Sequence, residues 1–151
     1  REITEIRVGC DGGAPLRVAL FDGPRLPEGP VWLTARAGQA RLDPPSKTAQ
    51  AEDRAEWQVG AATVTAEGEG GTGRTTVRVG GEALWDQAWD ALRPGSLDGA
   101  WEPVGLVRGK GHRLLLLRWM SREGFHYQAV KLGPGPAEAV GPDVYLYWCA
   151  N

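Results

Sequence analysis

Residues 8–21, VGCDGGAPLRVALF, hold the turn and strand signals from which we predict the fold. Leu16, Val18 and Leu20 recur at every second position, which is the period of a β-strand. An Asp-Gly-Gly turn precedes them, and residues 4–8 show the same alternation on the other side of that turn. This stretch therefore predicts a β-hairpin near the start of the chain.

Similar strand signals continue along the chain and are interrupted by turns that contain Gly and Pro. They predict further strands at residues 31–35, 39–42, 57–59, 62–66, 75–79, 104–107, 113–120, 125–132 and 144–148. Residues 113–120, RLLLLRWM, contain four consecutive leucines, which is typical of a strand that is buried on both faces. We therefore expect residues 113–120 to form a central strand of a sheet.

Three connections between these strands are predicted from composition. The Ala-Gly step at residues 37–38 indicates a hairpin between the strands on either side of it. Residues 46–54 carry no apolar pattern and are predicted to be an exposed polar loop, with a frayed helical turn as the alternative. Residues 133–142 are rich in Gly and Pro and are predicted to be a second loop.

Residues 82–92 are predicted to form the one α-helix. Its apolar positions recur at helical spacing and are Leu84, Trp85, Ala88, Trp89 and Leu92. A Pro-Gly step at residues 94–95 would end the helix. On this helix face, Trp85 and Trp89 either pack in the core or form an exposed aromatic patch that binds a partner or a carbohydrate.

Together these elements predict a mainly β fold. At 151 residues the chain is long enough to bury a core as a single domain, residues 1–151. Many short strands at regular spacing are typical of an antiparallel β-barrel or sandwich, here of about 8–10 short strands with one short α-helix.

The two cysteines lie near opposite ends of the chain, at Cys10 and Cys149. Neither has a second cysteine nearby, so a metal site built on a Cys-x-x-Cys motif is not indicated. We predict a Cys10–Cys149 disulfide that joins the first and last strands, with two buried free thiols as the alternative. Because a structural disulfide needs an oxidising compartment, we expect an extracytoplasmic protein that is secreted, periplasmic or lipid-anchored before processing.

Composition and charge exclude two classes of function. The formal net charge is -2, so the chain lacks the excess of basic residues by which proteins bind nucleic acids. No apolar run approaches the length of a transmembrane helix. We therefore expect neither a nucleic-acid partner nor a transmembrane segment.

Residues that can bind cofactors or metals are present without the spacing that such sites need. Gly68, Gly70 and Gly73 match G-x-G-x-x-G. A strand is predicted after them where a dinucleotide site needs a helix, so we interpret the motif as a hairpin turn. His112 and His126 are the only histidines, and no motif adds the further ligands of a zinc site. We predict no cofactor and no metal.

Nucleophiles and carboxylates likewise lie outside catalytic motifs. Ser46, Ser96 and Ser121 do not fall in the nucleophile motifs of known hydrolases. Asp86 and Asp90 would lie on the polar side of the predicted helix, where solvated carboxylates are the expected state and an acid–base pair is the alternative. We therefore predict that the chain is not an enzyme.

The first half of the chain resembles the family of membrane-bound and periplasmic inhibitors of c-type lysozyme. The matching features are a Cys-Asp-Gly turn, a second hairpin and a later strand, at Cys10, Asp11, Gly12, residues 31–42, Trp57, Gly60 and Ala62. The resemblance covers residues 5–70. It implies a small β-barrel, secreted or lipid-anchored, that inserts a loop into lysozyme.

The inhibitory loop of that family carries Ser-x-x-Gly-x-x-Tyr. Here Ser46 fits the pattern, whereas Ala49 stands in the place of Gly and Glu52 in the place of Tyr. The lysine of the family's following strand would fall near Val59. The resemblance therefore implies binding through Ser46 and its neighbour Lys47, while the family's other contact residues are absent.

Three functional hypotheses follow. The first is a non-enzymatic extracytoplasmic binding domain for a protein or envelope partner, with c-type lysozyme as the sharpest candidate. The second is a structural or assembly subunit, such as a pilin-like, surface-layer or phage-shell protein, with Trp85 and Trp89 as subunit contacts. The third is a hydrolase, which would need a pocket that joins His112 or His126 to a carboxylate and a nucleophile.

Overall fold

The computed structural model describes residues 2–7, 15–20, 34–35, 41–109, 112–122, 124–133 and 137–147. Every regular element in these ranges is a β-strand, which confirms the predicted mainly β fold. The strands are β1 Glu2–Arg7, β2 Pro15–Leu20, β3 Thr34–Ala35, β4 Arg41–Asp43, β5 Ser46–Gln50, β6 Arg54–Val59, β7 Ala62–Glu69, β8 Thr72–Val79, β9 Glu82–Asp90, β10 Glu102–Gly109, β11 His112–Met120, β12 Gly124–Lys131 and β13 Glu138–Tyr147.

The described strands form three antiparallel sheets. The N-terminal sheet has the order β2-β1-β3, sheet I has the order β5-β6-β7-β8-β9, and sheet II has the order β13-β12-β11-β10-β4. Each strand of sheet I pairs with the next strand along the chain, as do β10 to β13 in sheet II. The exception is β4, which joins sheet II by pairing with β10.

Two-residue glycine turns set the register within sheet I. Gly70 and Gly71 have φ angles of 63° and 107°, and Gly80 and Gly81 have φ angles of 59° and 83°. Positive φ at both central positions gives the tight hairpin turn whose twist matches that of the flanking strands, and glycine adopts it without a steric penalty. Because the turns are this short, β8 pairs with β7 and with β9 directly from each turn onward.

The predicted α-helix at residues 82–92 is wrong, because Glu82–Asp90 forms β9, the edge strand of sheet I. Trp85 and Trp89 are four positions apart. A separation of four places two side chains on one face of a strand, where the period is two, as well as on one face of a helix. The spacing of the aromatic residues is therefore compatible with both structures, and the preceding glycine turn decides for the strand.

Two predicted connections also differ from the structure, and a third lies outside the described residues. Residues 46–54 are neither a loop nor a helical turn, because Ser46–Gln50 forms β5 and β6 begins at Arg54. The predicted hairpin turn at residues 37–38 lies outside the described residues. The described ends of its two strands pair elsewhere, β3 with β1 and β4 with β10. The predicted loop at residues 133–142 is shorter than expected, since β13 already begins at Glu138.

Two of the predicted features that decide the fold are confirmed. The first two strands form a hairpin in which Ile6 lies opposite Leu16. β11 is the middle strand of sheet II. Its four leucines, residues 114–117, are between 0% and 3% exposed, as expected for a strand covered on both faces.

Sheets I and II share one hydrophobic core. Its buried strand residues are Ala55, Trp57, Val59, Ala62, Val64, Ala66, Val77 and Trp89 from sheet I, and Leu106, Leu115, Leu117 and Val130 from sheet II. A core between two antiparallel sheets is the arrangement of a β-sandwich. In the described part of the chain neither sheet closes on itself, since β5 and β9 end sheet I and β4 and β13 end sheet II. The sandwich alternative therefore holds, and the closed barrel does not.

Two further expectations concern the cysteines and the membrane. The predicted Cys10–Cys149 disulfide lies outside the described residues. Among the described residues there is no helix with the length and hydropathy needed to cross a bilayer.

Candidate functional site

The residues predicted to bind a partner, Ser46 and Lys47, are the first two residues of the edge strand β5. All five residues of β5 are exposed. Ser46 lies opposite Gln58 and Lys47 opposite Trp57 on β6, and β5 is the end strand of sheet I in the described chain. An exposed edge strand presents backbone hydrogen-bonding groups as well as side chains, which is the arrangement that partner proteins use in strand addition. We call Ser46–Gln50 the β5 edge.

The ammonium group of Lys47 has two close neighbours. Its Nζ donates a hydrogen bond to Oε1 of Gln50 at 2.6 Å. The same ammonium group lies 5.4 Å from the ring centroid of Trp57, which is 7% exposed and belongs to the core. A cation over an aromatic face is attracted by the charge distribution of the ring. Lys47 therefore covers the edge of the core and still presents its charge to solvent.

A β-bulge interrupts the β5 edge. The register with β6 shifts between Lys47 and Ala49, so that Thr48 has no opposite residue. The Thr48 hydroxyl instead donates to Glu56 Oε1 at 3.0 Å. A bulge twists an edge strand and limits continuous pairing with another strand. The edge is therefore better suited to contact through the side chains at its start than to long strand addition.

Trp89 lies in the core and not on an exposed patch. Its side chain is 7% exposed, and a Cβ atom built at Gly68 would lie 2.7 Å from its Cη2 atom. Gly73, directly opposite on β8, lies under the same ring. The ring thus fills the space that these two glycines leave, which is how aromatic residues stabilise glycines in sheets. Trp89 Nε1 is buried without a hydrogen-bond partner.

Trp85 begins a row of aromatic rings that connects the two sheets. Its ring meets Trp101 edge-on at a centroid distance of 6.0 Å, and Trp101 lies 6.0 Å from Trp119 on sheet II. Trp119 is stacked on His126 at 4.1 Å, with an interplanar angle of 7°. The buried Thr75 hydroxyl supports the row by donating to the Trp101 carbonyl oxygen at 2.9 Å. Trp101 belongs to the shared core, and the half-buried Trp85 and Trp119 pack against that core.

An ion pair lies where β4 and β10 pair. Arg108 Nε lies 2.6 Å from Asp43 Oδ2, and an Arg108 Nη2 hydrogen donates to Asp43 Oδ1 at 3.0 Å. The hydrogen bond to Asp43, followed by the charge of the same carboxylate, raises the pKa of Arg108. The pair ties the short strand β4 to sheet II.

Three of the other polar residues singled out in the sequence have structural partners. Ser96 Oγ donates to the Arg93 carbonyl oxygen at 2.9 Å, and Ser121 Oγ donates to the Gly124 carbonyl oxygen at 3.1 Å. Asp86 accepts a hydrogen bond from Arg74 on the neighbouring strand. In the described ranges no three His, Cys, Asp or Glu side chains are grouped as a metal site would require.

The structure also brings together an acidic cleft that sequence analysis missed. A cavity of about 330 Å³ is lined by the carboxylate residues Glu52, Asp53 and Glu69 together with the Gly70-Gly71 turn and Ser96. These residues come from three connections at one end of sheet I. No sequence motif links them, because their proximity depends on strand pairing. The cleft is open to solvent, so its carboxylates could attract a cationic group but the cleft would not enclose a ligand.

Three comparisons with known proteins return no match. No protein-family model matches the chain. No curated protein and no solved structure is similar to it at a significant level.

Proposed function

We propose that this chain is a non-enzymatic extracytoplasmic binding domain that contacts a protein or envelope partner through the β5 edge. The observation that carries the proposal is the exposure of every residue of β5 beside a well-packed core. A rigid sandwich with an exposed edge strand supplies a preorganised contact surface, which lowers the entropic cost of binding. The extracytoplasmic location rests on the predicted Cys10–Cys149 disulfide.

Within the β5 edge, Ser46 and Lys47 are the proposed contact residues. They precede the bulge, where the strand is still in register with β6. Lys47 donates a hydrogen bond to Gln50 and lies over Trp57, so a partner carboxylate would meet an ammonium group that these two contacts already orient. The proposed recognition is therefore a charged contact on a preformed surface.

The most specific version of this proposal is that the chain inhibits a c-type lysozyme. It rests on the resemblance of the first half of the chain to the family of lysozyme inhibitors. One structural feature limits it. Ser46 lies at the start of a strand and not in a protruding loop. To block the active-site cleft of lysozyme, the β5 edge itself would have to enter the cleft. Binding to a flat surface of a partner would not require this insertion.

The test is a titration of the protein against a c-type lysozyme, with binding followed by calorimetry and activity followed on a bacterial cell-wall substrate. Lys47→Glu reverses the charge of the β5 edge, and Lys131→Glu is the matched control, because Lys131 is also exposed but lies at the end of β12. Binding that Lys47→Glu weakens and Lys131→Glu leaves unchanged supports the lysozyme form. Absence of binding rejects lysozyme as the partner.

A structural or assembly subunit is the second candidate, and the open ends of sheet I favour it. β9 is an edge strand of nine residues. Among the described residues, the edge that faces away from β8 has one backbone hydrogen bond, in which the Ala137 amide donates to the Leu84 carbonyl oxygen at 2.9 Å. Sedimentation velocity over a range of concentrations distinguishes the candidates. A subunit associates with itself as concentration rises, and a binding domain stays monomeric.

A further inference from the structure

Sheet II has a second buried face that does not belong to the core shared with sheet I. Strand pairing places five apolar residues on this face, and they are Val107, Leu114, Leu116, Tyr127 and Ala129. They alternate with Leu106, Leu115, Leu117 and Val130, which point into the shared core. We call these five residues the outer face of sheet II.

The outer face is shielded from solvent as completely as the core. Its five residues are between 0% and 3% exposed. None of them belongs to the cluster of buried residues that joins sheets I and II. Sheet I lies on the opposite side of sheet II, so it cannot supply this cover. Another layer of the chain must therefore exclude water here.

The buried area ends at a polar boundary on β10, β11 and β12. Arg118 Nε lies 2.6 Å from Glu102 Oε1, and the Arg118 guanidinium carbon lies 4.6 Å from the ring centroid of Phe125. Lys131, at the other end of β12, is exposed. An apolar centre with a charged boundary is the usual composition of a surface that packs against another folded element.

The N-terminal sheet is the part of the chain that fits this cover. Its described strands, β1 to β3, pair with no described strand of sheet I or sheet II. Its last strand ends at Ala35, and β4, the edge strand of sheet II, begins at Arg41. The link between them is therefore residues 36–40, which is too short to carry the N-terminal sheet far from sheet II. The sequence of β2 alternates Leu16, Val18 and Leu20, which predicts one apolar face.

We propose that the outer face of sheet II is the docking surface for the chain's own N-terminal sheet, which packs on it as a third layer. In this proposal the two sheets contact each other through side chains and not through strand pairing. If the link were cut, only non-covalent contacts would hold the N-terminal sheet to the rest of the protein. The protein is then a three-layer β structure whose central layer is sheet II.

The test uses the full chain, folded first and cut afterwards. A specific protease site replaces residues 36–40 in a Cys149→Ser background, so that a disulfide cannot hold the two pieces together. After cleavage, we expect the pieces to elute together in size-exclusion chromatography and to separate in denaturant. Met120, the only methionine, lies at the margin of the outer face and reports on the cover through its rate of oxidation by peroxide.

Leu116→Ala and Leu115→Ala provide a matched pair. The two leucines are neighbours on β11 with exposures of 2% and 0%, but Leu116 lies on the outer face and Leu115 in the shared core. We expect Leu116→Ala to weaken the association of the cut pieces several-fold and Leu115→Ala to leave it unchanged. If Leu116→Ala does not fold, as judged by circular dichroism, Val107→Ala takes its place.

Two results would overturn the proposal. The first is separation of the pieces directly after cleavage with no change in the rate of Met120 oxidation, because the N-terminal sheet would then not be the cover. The second is a stable dimer of the uncut chain that protects Met120 only while dimeric, because a second copy would then cover the outer face. The proposal is supported if the cut pieces co-elute and if Met120 is oxidised faster once denaturant has separated the pieces.

Discussion

Trp89 and Gly73 lie opposite each other on β9 and β8, and the indole ring of Trp89 occupies the space that a side chain at position 73 would need. The backbone carbonyl of Glu67 closes the same space from the third strand, β7. The conformation of Gly73 is that of an ordinary strand residue, so the requirement for glycine here is one of room and not of backbone angle.

The first prediction follows from this contact. Gly73→Ala should destabilise the fold by about 1–3 kcal/mol, the usual range for an overpacked core, as measured by urea unfolding. Gly133→Ala is the control, because a Cβ at Gly133 meets no atom within 4 Å. In a Trp89→Ala background the cost of Gly73→Ala should fall. An equal cost in both backgrounds would show that the ring is not what excludes the methyl group.

The second prediction concerns Trp89 itself. Trp89→Ala should cost about 3–5 kcal/mol in the free energy of unfolding, because it empties a buried site of aromatic size and uncovers two glycines. Gln87→Ala, on the same strand but exposed, should change the free energy of unfolding by less than about 0.5 kcal/mol. A small effect of Trp89→Ala on stability, together with lost self-association, would instead place Trp89 in an interface.

The third prediction concerns the hydrogen bond between Thr75 and the Trp101 carbonyl oxygen. Thr75 is 0% exposed, so Thr75→Val should cost about 1–3 kcal/mol through an unsatisfied buried carbonyl. The near-ultraviolet circular dichroism of the aromatic row should change as well. Thr63→Val is the control, since the Thr63 hydroxyl donates to Gln58 at the exposed surface. Equal losses for the two variants would contradict a special role for the buried bond.

The fourth prediction tests the disulfide between Cys10 and Cys149. Closing a loop of nearly the whole chain should stabilise the fold by about 5 kcal/mol in the chain-entropy model. Cys10→Ser and Cys149→Ser should therefore lower the melting temperature equally under non-reducing conditions, and the double variant should be no worse than either single one. Two reactive thiols per chain in the denatured, unreduced protein would exclude the bridge.

The fold was predictable where the signal is local. The four leucines of β11 indicate burial on both faces whatever lies around them. The alternating residues on either side of the Asp-Gly-Gly sequence predict the pairing of β1 with β2, which the structure shows. β5 was missed because all five of its residues are exposed, so no hydrophobic period marks it as a strand. β9 was mistaken for a helix because the spacing of Trp85 and Trp89 suits both periods.

The candidate site was predictable only in part. Ser46 and Lys47 were identified from the resemblance, but the contact between Lys47 and Trp57 depends on the register of β5 and β6. The acidic cleft of Glu52, Asp53 and Glu69 depends on three connections that strand pairing brings together. A pattern of neighbouring residues contains neither kind of information, because both arise from pairing between segments.

The pairing of β4 with β10 also has a consequence for the order of folding. Each strand of sheet I pairs with its neighbour in the chain, so sheet I can form from short loop closures. Asp43 and Arg108 are 65 positions apart, and their pairing requires the chain between them to be closed into one large loop. Sheet I is therefore expected to be an early unit of folding, and β4 the strand of sheet II that joins last.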